Sequence, residues 1–160
     1  MDQRPCSLFF DHLARLGDSE TIELAQLGLR EYQSGKAAEK ASKEEMELEF
    51  LDYAKLVSCV DHRPTRSEYA LYCIVTGKRL TPNEWLSLME GGDDSSFQEE
   101  LIYRYEDMPA KVQEGIYDYA IACMAIDREF TDEERWLYRA LSLRRKIVMN
   151  FGEKKRNSGK

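Results

Sequence analysis

Asp61 and Glu68 stand seven residues apart, and Asp127 and Glu134 repeat that spacing 66 residues downstream. Carboxylates are hard oxygen donors. A Ca²⁺ or Mg²⁺ ion gathers several such oxygens, more than one short turn supplies. Each Asp-x6-Glu turn offers two carboxylates, so two turns brought together would offer four. Asp61, Glu68, Asp127 and Glu134 are therefore the candidate metal ligands, with Ca²⁺ or Mg²⁺ as the ion. The aspartates need some partner. Each falls at the carboxyl end of a long helical segment, where the macrodipole disfavours a negative charge. A cation is one compensation. Arg63, Arg128 or the N–H groups of the following helix are the others.

Other chemistry is sparse. Cys6, Cys59, Cys73 and Cys123 are far apart and form no Cys-x-x-Cys pair, so free thiols are expected. His12 and His62 are the only histidines. Cys59 and His62 are three apart, but no third group is in place to orient a thiol–imidazole pair. There is no Gly-rich phosphate loop and no Gly-x-Ser-x-Gly elbow. A metal-assisted hydrolase built on helical carboxylates would want inward Glu-x-x-His pairs, which are absent. No catalytic residue and no organic cofactor are expected.

The elements that position these residues are helices. Ser42-Lys43-Glu44-Glu45, Thr65-Arg66-Ser67-Glu68, Thr81-Pro82-Asn83-Glu84 and Thr131-Asp132-Glu133-Glu134 are all capping boxes. In each, the hydroxyl accepts a backbone N–H three residues on, and the Glu reaches back. Ser95 or Ser96 is expected to cap a further helix, and Pro109 to begin another. Gly17, Gly35, Gly77 and Gly91-Gly92 read as stops. No stretch alternates like a strand. The expected fold is all-α, with about eight helices. These include Pro5 to Leu16 and Ser19 to Gln33, and Gly35–Ala41 and Gly91–Ser96 are the longest loops.

A shift of 66 residues lays Asp52-Tyr53-Ala54 over Asp118-Tyr119-Ala120. It also lays Asp61, Thr65, Glu68, Leu71 and Tyr72 over Asp127, Thr131, Glu134, Leu137 and Tyr138. Upstream, Met46, Phe50 and Val57 match Val112, Ile116 and Cys123 as one helical stripe. Each repeat is thus a long helix, a turn opening on Asp, a capping box and a second helix. Two such hairpins packed about an approximate two-fold axis would bury the stripe that one leaves bare.

With these residues the chain resembles the TerB-like (tellurite-resistance B) helical family over roughly residues 42–150. The better copy of its pattern is Ala120-Ile121-Ala122-Cys123-Met124-Ala125-Ile126-Asp127-Arg128-Glu129-Phe130-Thr131-Asp132-Glu133-Glu134-Arg135. The other lies around Asp61-His62-Arg63-Pro64-Thr65. The resemblance implies an all-helical protein of stress or phage responses, in which Asp61, Glu68, Asp127 and Glu134 correspond to residues that hold a divalent cation in some members. The family's pattern has Gly after each Asp. Here His62 and Arg128 stand in those places, and a side chain there resists the positive φ that Gly permits. Arg128 also brings a positive charge.

Composition sets the remaining bounds. The chain has 160 residues, 42% apolar and 33% charged, with net charge −7. That suits one folded domain of residues 1–150: N-terminal helices over 1–40, then the duplicated core over 42–150. Residues 151–160 read as a flexible basic tail. Arg144 to Lys160 holds seven Lys/Arg and one Glu, so the rest of the chain is strongly acidic. An acidic body repels nucleic acid, and none is expected as a partner. No apolar run is long enough for a transmembrane segment, and a cytoplasmic location is expected. The leading functional expectation is a non-enzymatic module that binds a protein partner, with a divalent-cation sensor as the alternative. Trp85, Phe97, Tyr103, Tyr105 and Trp136 are the candidate interaction residues, because aromatics dominate interface energetics.

Overall fold

A computed structural model describes residues 15–128 and 130–146. Within them the chain forms seven helices and no strand: α1 (Asp18–Ala38), α2 (Lys43–Cys59), α3 (Arg66–Thr76), α4 (Pro82–Leu88), α5 (Ser95–Glu106), α6 (Ala110–Asp127) and α7 (Asp132–Arg144). The expected helix over Pro5 to Leu16, His12, Cys6 and the basic tail lie outside the described residues. No helix among the described residues is long and apolar enough to cross a membrane.

The capping boxes open their helices as expected. Ser42, Thr65, Thr81 and Thr131 each accept the N–H of the Glu three residues on, and each Glu side chain returns to the cap's own N–H. Two boundaries differ from expectation. The cap of α5 is Asp94, whose Oδ1 accepts Ser96 N–H at 2.8 Å, so a carboxylate takes the place expected for Ser95 or Ser96. And α1 runs through Gly35 to Ala38. Gly35 is a point of close approach: a Cβ there would lie 2.7 Å from Val112 Cγ2.

That approach belongs to the central packing of the molecule. Helix α6 buries every residue from Tyr119 to Ala125, and Val112, Gln113, Gly115 and Ile116 before them, as a helix enclosed by others must. Helix α1 lies along it. A Cβ at Gly28 would stand 2.7 Å from Gly115 O and 2.8 Å from Tyr119 N, so the two backbones touch where neither carries a side chain. The rings of Phe50 on α2 and Tyr119 on α6 meet edge-on at 4.8 Å. Gln113, fully buried, ties the far end. Its amide donates to Tyr105 O at 2.7 Å and Arg144 O at 3.2 Å, and its carbonyl accepts Lys146 N–H at 2.7 Å. One side chain thereby satisfies backbone groups that end α5 and α7, which burial alone would leave orphaned.

Candidate functional site

The four candidate carboxylates sit at the ends of α2 and α6 and the starts of α3 and α7. Helix α2 stops at Cys59, and Asp61 follows in the turn. Its Oδ1 accepts the N–H of Arg63 at 3.2 Å. Burial is the main influence on this carboxyl and raises its pKa, while the N–H and charge of Arg63 act in the opposite sense. The compensation expected from Arg63 is therefore present at Asp61.

Asp127 is stabilised differently. It is the last residue of α6. Its Oδ1 accepts the hydroxyl of Thr65, the cap of α3, at 2.7 Å. The Thr65 oxygen is at the same time the acceptor for Glu68 N–H at 3.2 Å. One hydroxyl thus caps α3 and ties its start to the end of α6. Arg128 reaches the start of α1, donating to Leu16 O at 2.6 Å and Asp18 Oδ1 at 2.7 Å.

The structure also answers the substitution of Gly in both turns. His62 has φ 66° and Arg128 φ 59°. Both take the left-handed conformation despite their side chains, at a cost of roughly 1–2 kcal/mol each. The expected resistance to positive φ is overcome by the surrounding contacts.

Glu68 and Glu134 occupy the third helical position of their boxes and are each 1% exposed. One oxygen of each accepts the cap N–H, from Thr65 at 2.9 Å and from Thr131 at 3.0 Å. One carboxylate oxygen from each of Glu68, Asp127 and Glu134 lies within 4.8 Å of the other two. Three of the four candidates therefore converge. Asp61 stands just outside that triad, close enough to act electrostatically on Glu68. Burial, and then the charge of Asp127, push the Glu68 carboxyl up to about 11. At neutral pH Glu68 keeps its proton unless a cation replaces it. The donor set is all hard oxygen, which fits Ca²⁺ or Mg²⁺. Glu68, Asp127 and Glu134 are the residues that would hold such an ion.

Burial keeps the nearby thiols protonated. Burial raises the Cys59 thiol to about 12 and holds Cys123 well above the ordinary range. Cys59 lies 3.5 Å from Met89 O, and the His62 ring pairs with Asp93 at 3.3 Å.

The aromatic candidates divide. Trp85 is 3% exposed and Tyr105 wholly buried. Both belong to the core: Trp85 packs against Tyr69 and Tyr72, and Tyr105 is held on the inner face of α5. Phe97 is half-buried under the ammonium of Lys55, 5.0 Å from its ring. Tyr103 and Trp136 are 71% and 49% exposed. They come together on the walls of one open groove between α5 and α7, of about 400 Å³. Ile102 and Ala140 form its floor, and Leu143, 77% exposed, continues its wall. Sequence reasoning missed Leu143. The signal was there, since Trp136, Ala140 and Leu143 follow i, i+4, i+7. The charges around the groove are segregated. Glu99 and Glu106 stand on the α5 side, Arg139 and Arg144 on the α7 side. Comparison with family models, with curated proteins and with solved structures finds no match.

Proposed function

We propose that this chain is a non-enzymatic binding module that docks a protein partner along the α5–α7 groove. The observation that supports it is the gathering of Tyr103, Trp136 and Leu143, three large exposed apolar side chains, around one groove. Apolar side chains so clustered mark interaction sites more often than scattered ones do. The partner's chemistry follows from the rim. Glu106 and Arg144 already pair with each other at 3.6 Å, so the partner presents an apolar ridge with a basic residue to meet Glu99 and an acidic one to meet Arg139. A photo-crosslinking residue at position 103 tests this in the native host. The expected result is a discrete adduct whose mapped peptide carries that pattern, absent when the probe is at Leu48, which is 66% exposed and apolar but away from the groove. Equal capture from both positions refutes the reading.

A second reading is a divalent-cation sensor, favoured by the convergence of Glu68, Asp127 and Glu134. With it goes the proposal that the hairpins α2–α3 and α6–α7 are two copies about an approximate two-fold axis, meeting at their acidic turns. Calorimetric titration of chelator-treated protein with Ca²⁺, Mg²⁺ and Mn²⁺ decides it. Micromolar binding lost in Asp127→Asn supports the sensor. No heat and no rise in melting temperature leave the junction to its proton.

A further inference from the structure

The charge pattern of the α5–α7 face suggests what the partner is. The apolar centre of Tyr103, Trp136 and Leu143 is flanked by acid on one edge and base on the other. A two-fold rotation about an axis along the groove lays the α5 edge of one copy on the α7 edge of another. The acidic edge then meets the basic edge twice, and the apolar centres coincide. Such a face is its own complement, as an isologous contact requires. Its exposed Tyr, Trp and Arg are also the residue types that anchor interfaces. We infer that a second copy of this chain docks on the α5–α7 groove, forming a two-fold dimer with Glu99 of each copy opposite Arg139 of the other. This rests on the reading of the groove as a docking surface. It adds the partner's identity.

Glu99 and Arg139 are both exposed, so reversing either leaves the core intact. In a two-fold dimer, Glu99→Arg puts two Arg–Arg contacts into its homodimer, and Arg139→Glu puts in two Glu–Glu contacts. Mixed together, the two variants form a heterodimer with both contacts complementary. Sedimentation equilibrium of the full chain should show reversible dimers. Each reversed variant alone should dissociate about tenfold more readily, given the modest worth of exposed pairs. The equimolar mixture should recover the parent's association. Trp136→Glu should be monomeric with an unchanged helical spectrum, and its melting temperature should not depend on protein concentration. Dimers that ignore Trp136→Glu, or a mixture no tighter than its components, overturn the proposal. A chain monomeric at all concentrations also overturns it. If position 103 then still captures another protein, the docking groove stands without self-association. If it captures nothing, both fall.

Discussion

Replacing Glu68 by Gln isolates the protonation of the carboxylate junction. The side chain is 1% exposed, and its carboxyl titrates from an ordinary 4.5 up to about 11 in the folded chain. The unfolded chain therefore releases this proton as pH rises through 4.5, while the folded chain keeps it. Between those values the unfolded state binds fewer protons, so stability falls with rising pH by about 1.4 kcal/mol per pH unit. By pH 7 the loss is at most about 3 kcal/mol, a large part of a stability of roughly 5–15 kcal/mol. Gln keeps the geometry. Its carbonyl accepts the Thr65 N–H, as Gln does in capping boxes, and its amide donates towards Asp127 without titrating. In chelator, Glu68→Gln should match the parent at pH 4 and exceed it by about 2–3 kcal/mol at pH 7, with the gap widening to pH 9. Urea melts across that range are the assay. A variant less stable than the parent at pH 7, by an amount that does not change with pH, would refute the protonated junction. If the junction instead holds Ca²⁺, added calcium should stabilise the parent and leave the variant unmoved.

Further outcomes are expected at the caps, the glycines and the thiols. Thr65→Val removes both a cap and the donor to Asp127 and should cost about 2–3 kcal/mol in urea melts, while Thr131→Ala removes a cap and should cost about 1 kcal/mol. Gly115→Ala should cost about 3 kcal/mol or more, because its Cβ runs into the backbone at Tyr32 N and Gly28 O and forces α1 off α6. Gly77→Ala, at φ 75° with nothing within 4 Å, should cost only about 1 kcal/mol on the same urea melts. Ellman's reagent at pH 8, followed by peptide mapping, should label half-buried Cys73 about a hundredfold faster than Cys59 or Cys123, whose thiols burial keeps neutral.

Helix starts were legible because capping is local chemistry: a Thr and a Glu three residues apart need nothing from the rest of the chain. The repeat pointed to four carboxylates, and three of them, Glu68, Asp127 and Glu134, converge while Asp61 does not. The partner of Asp127 was not legible. Thr65 has the same sequence signature whether its hydroxyl only caps α3 or also reaches the end of α6. Gly35 failed for a related reason. A glycine late in a helical pattern serves as a stop or as a contact point, and only the neighbour at Val112 distinguishes them. Burial of aromatics depends on helical phase. Tyr103 and Tyr105 are two residues apart, which turns them to opposite sides of α5. One became groove and the other core, which composition could not separate.

The packing of α1 on α6 has a consequence for synthesis on the ribosome. Helix α1 is complete at Ala38, but the helix it lies against ends only at Asp127. At 5–20 residues per second, the intervening stretch takes roughly 4–18 s to emerge. Throughout that interval Ala25 and Tyr32, both wholly enclosed in the finished protein, have no α6 to cover them. Helices α2 and α3 also pack on α6, so they too must wait for it. Nascent chains arrested before Asp127 should be the ones that holdase chaperones retain and proteases trim.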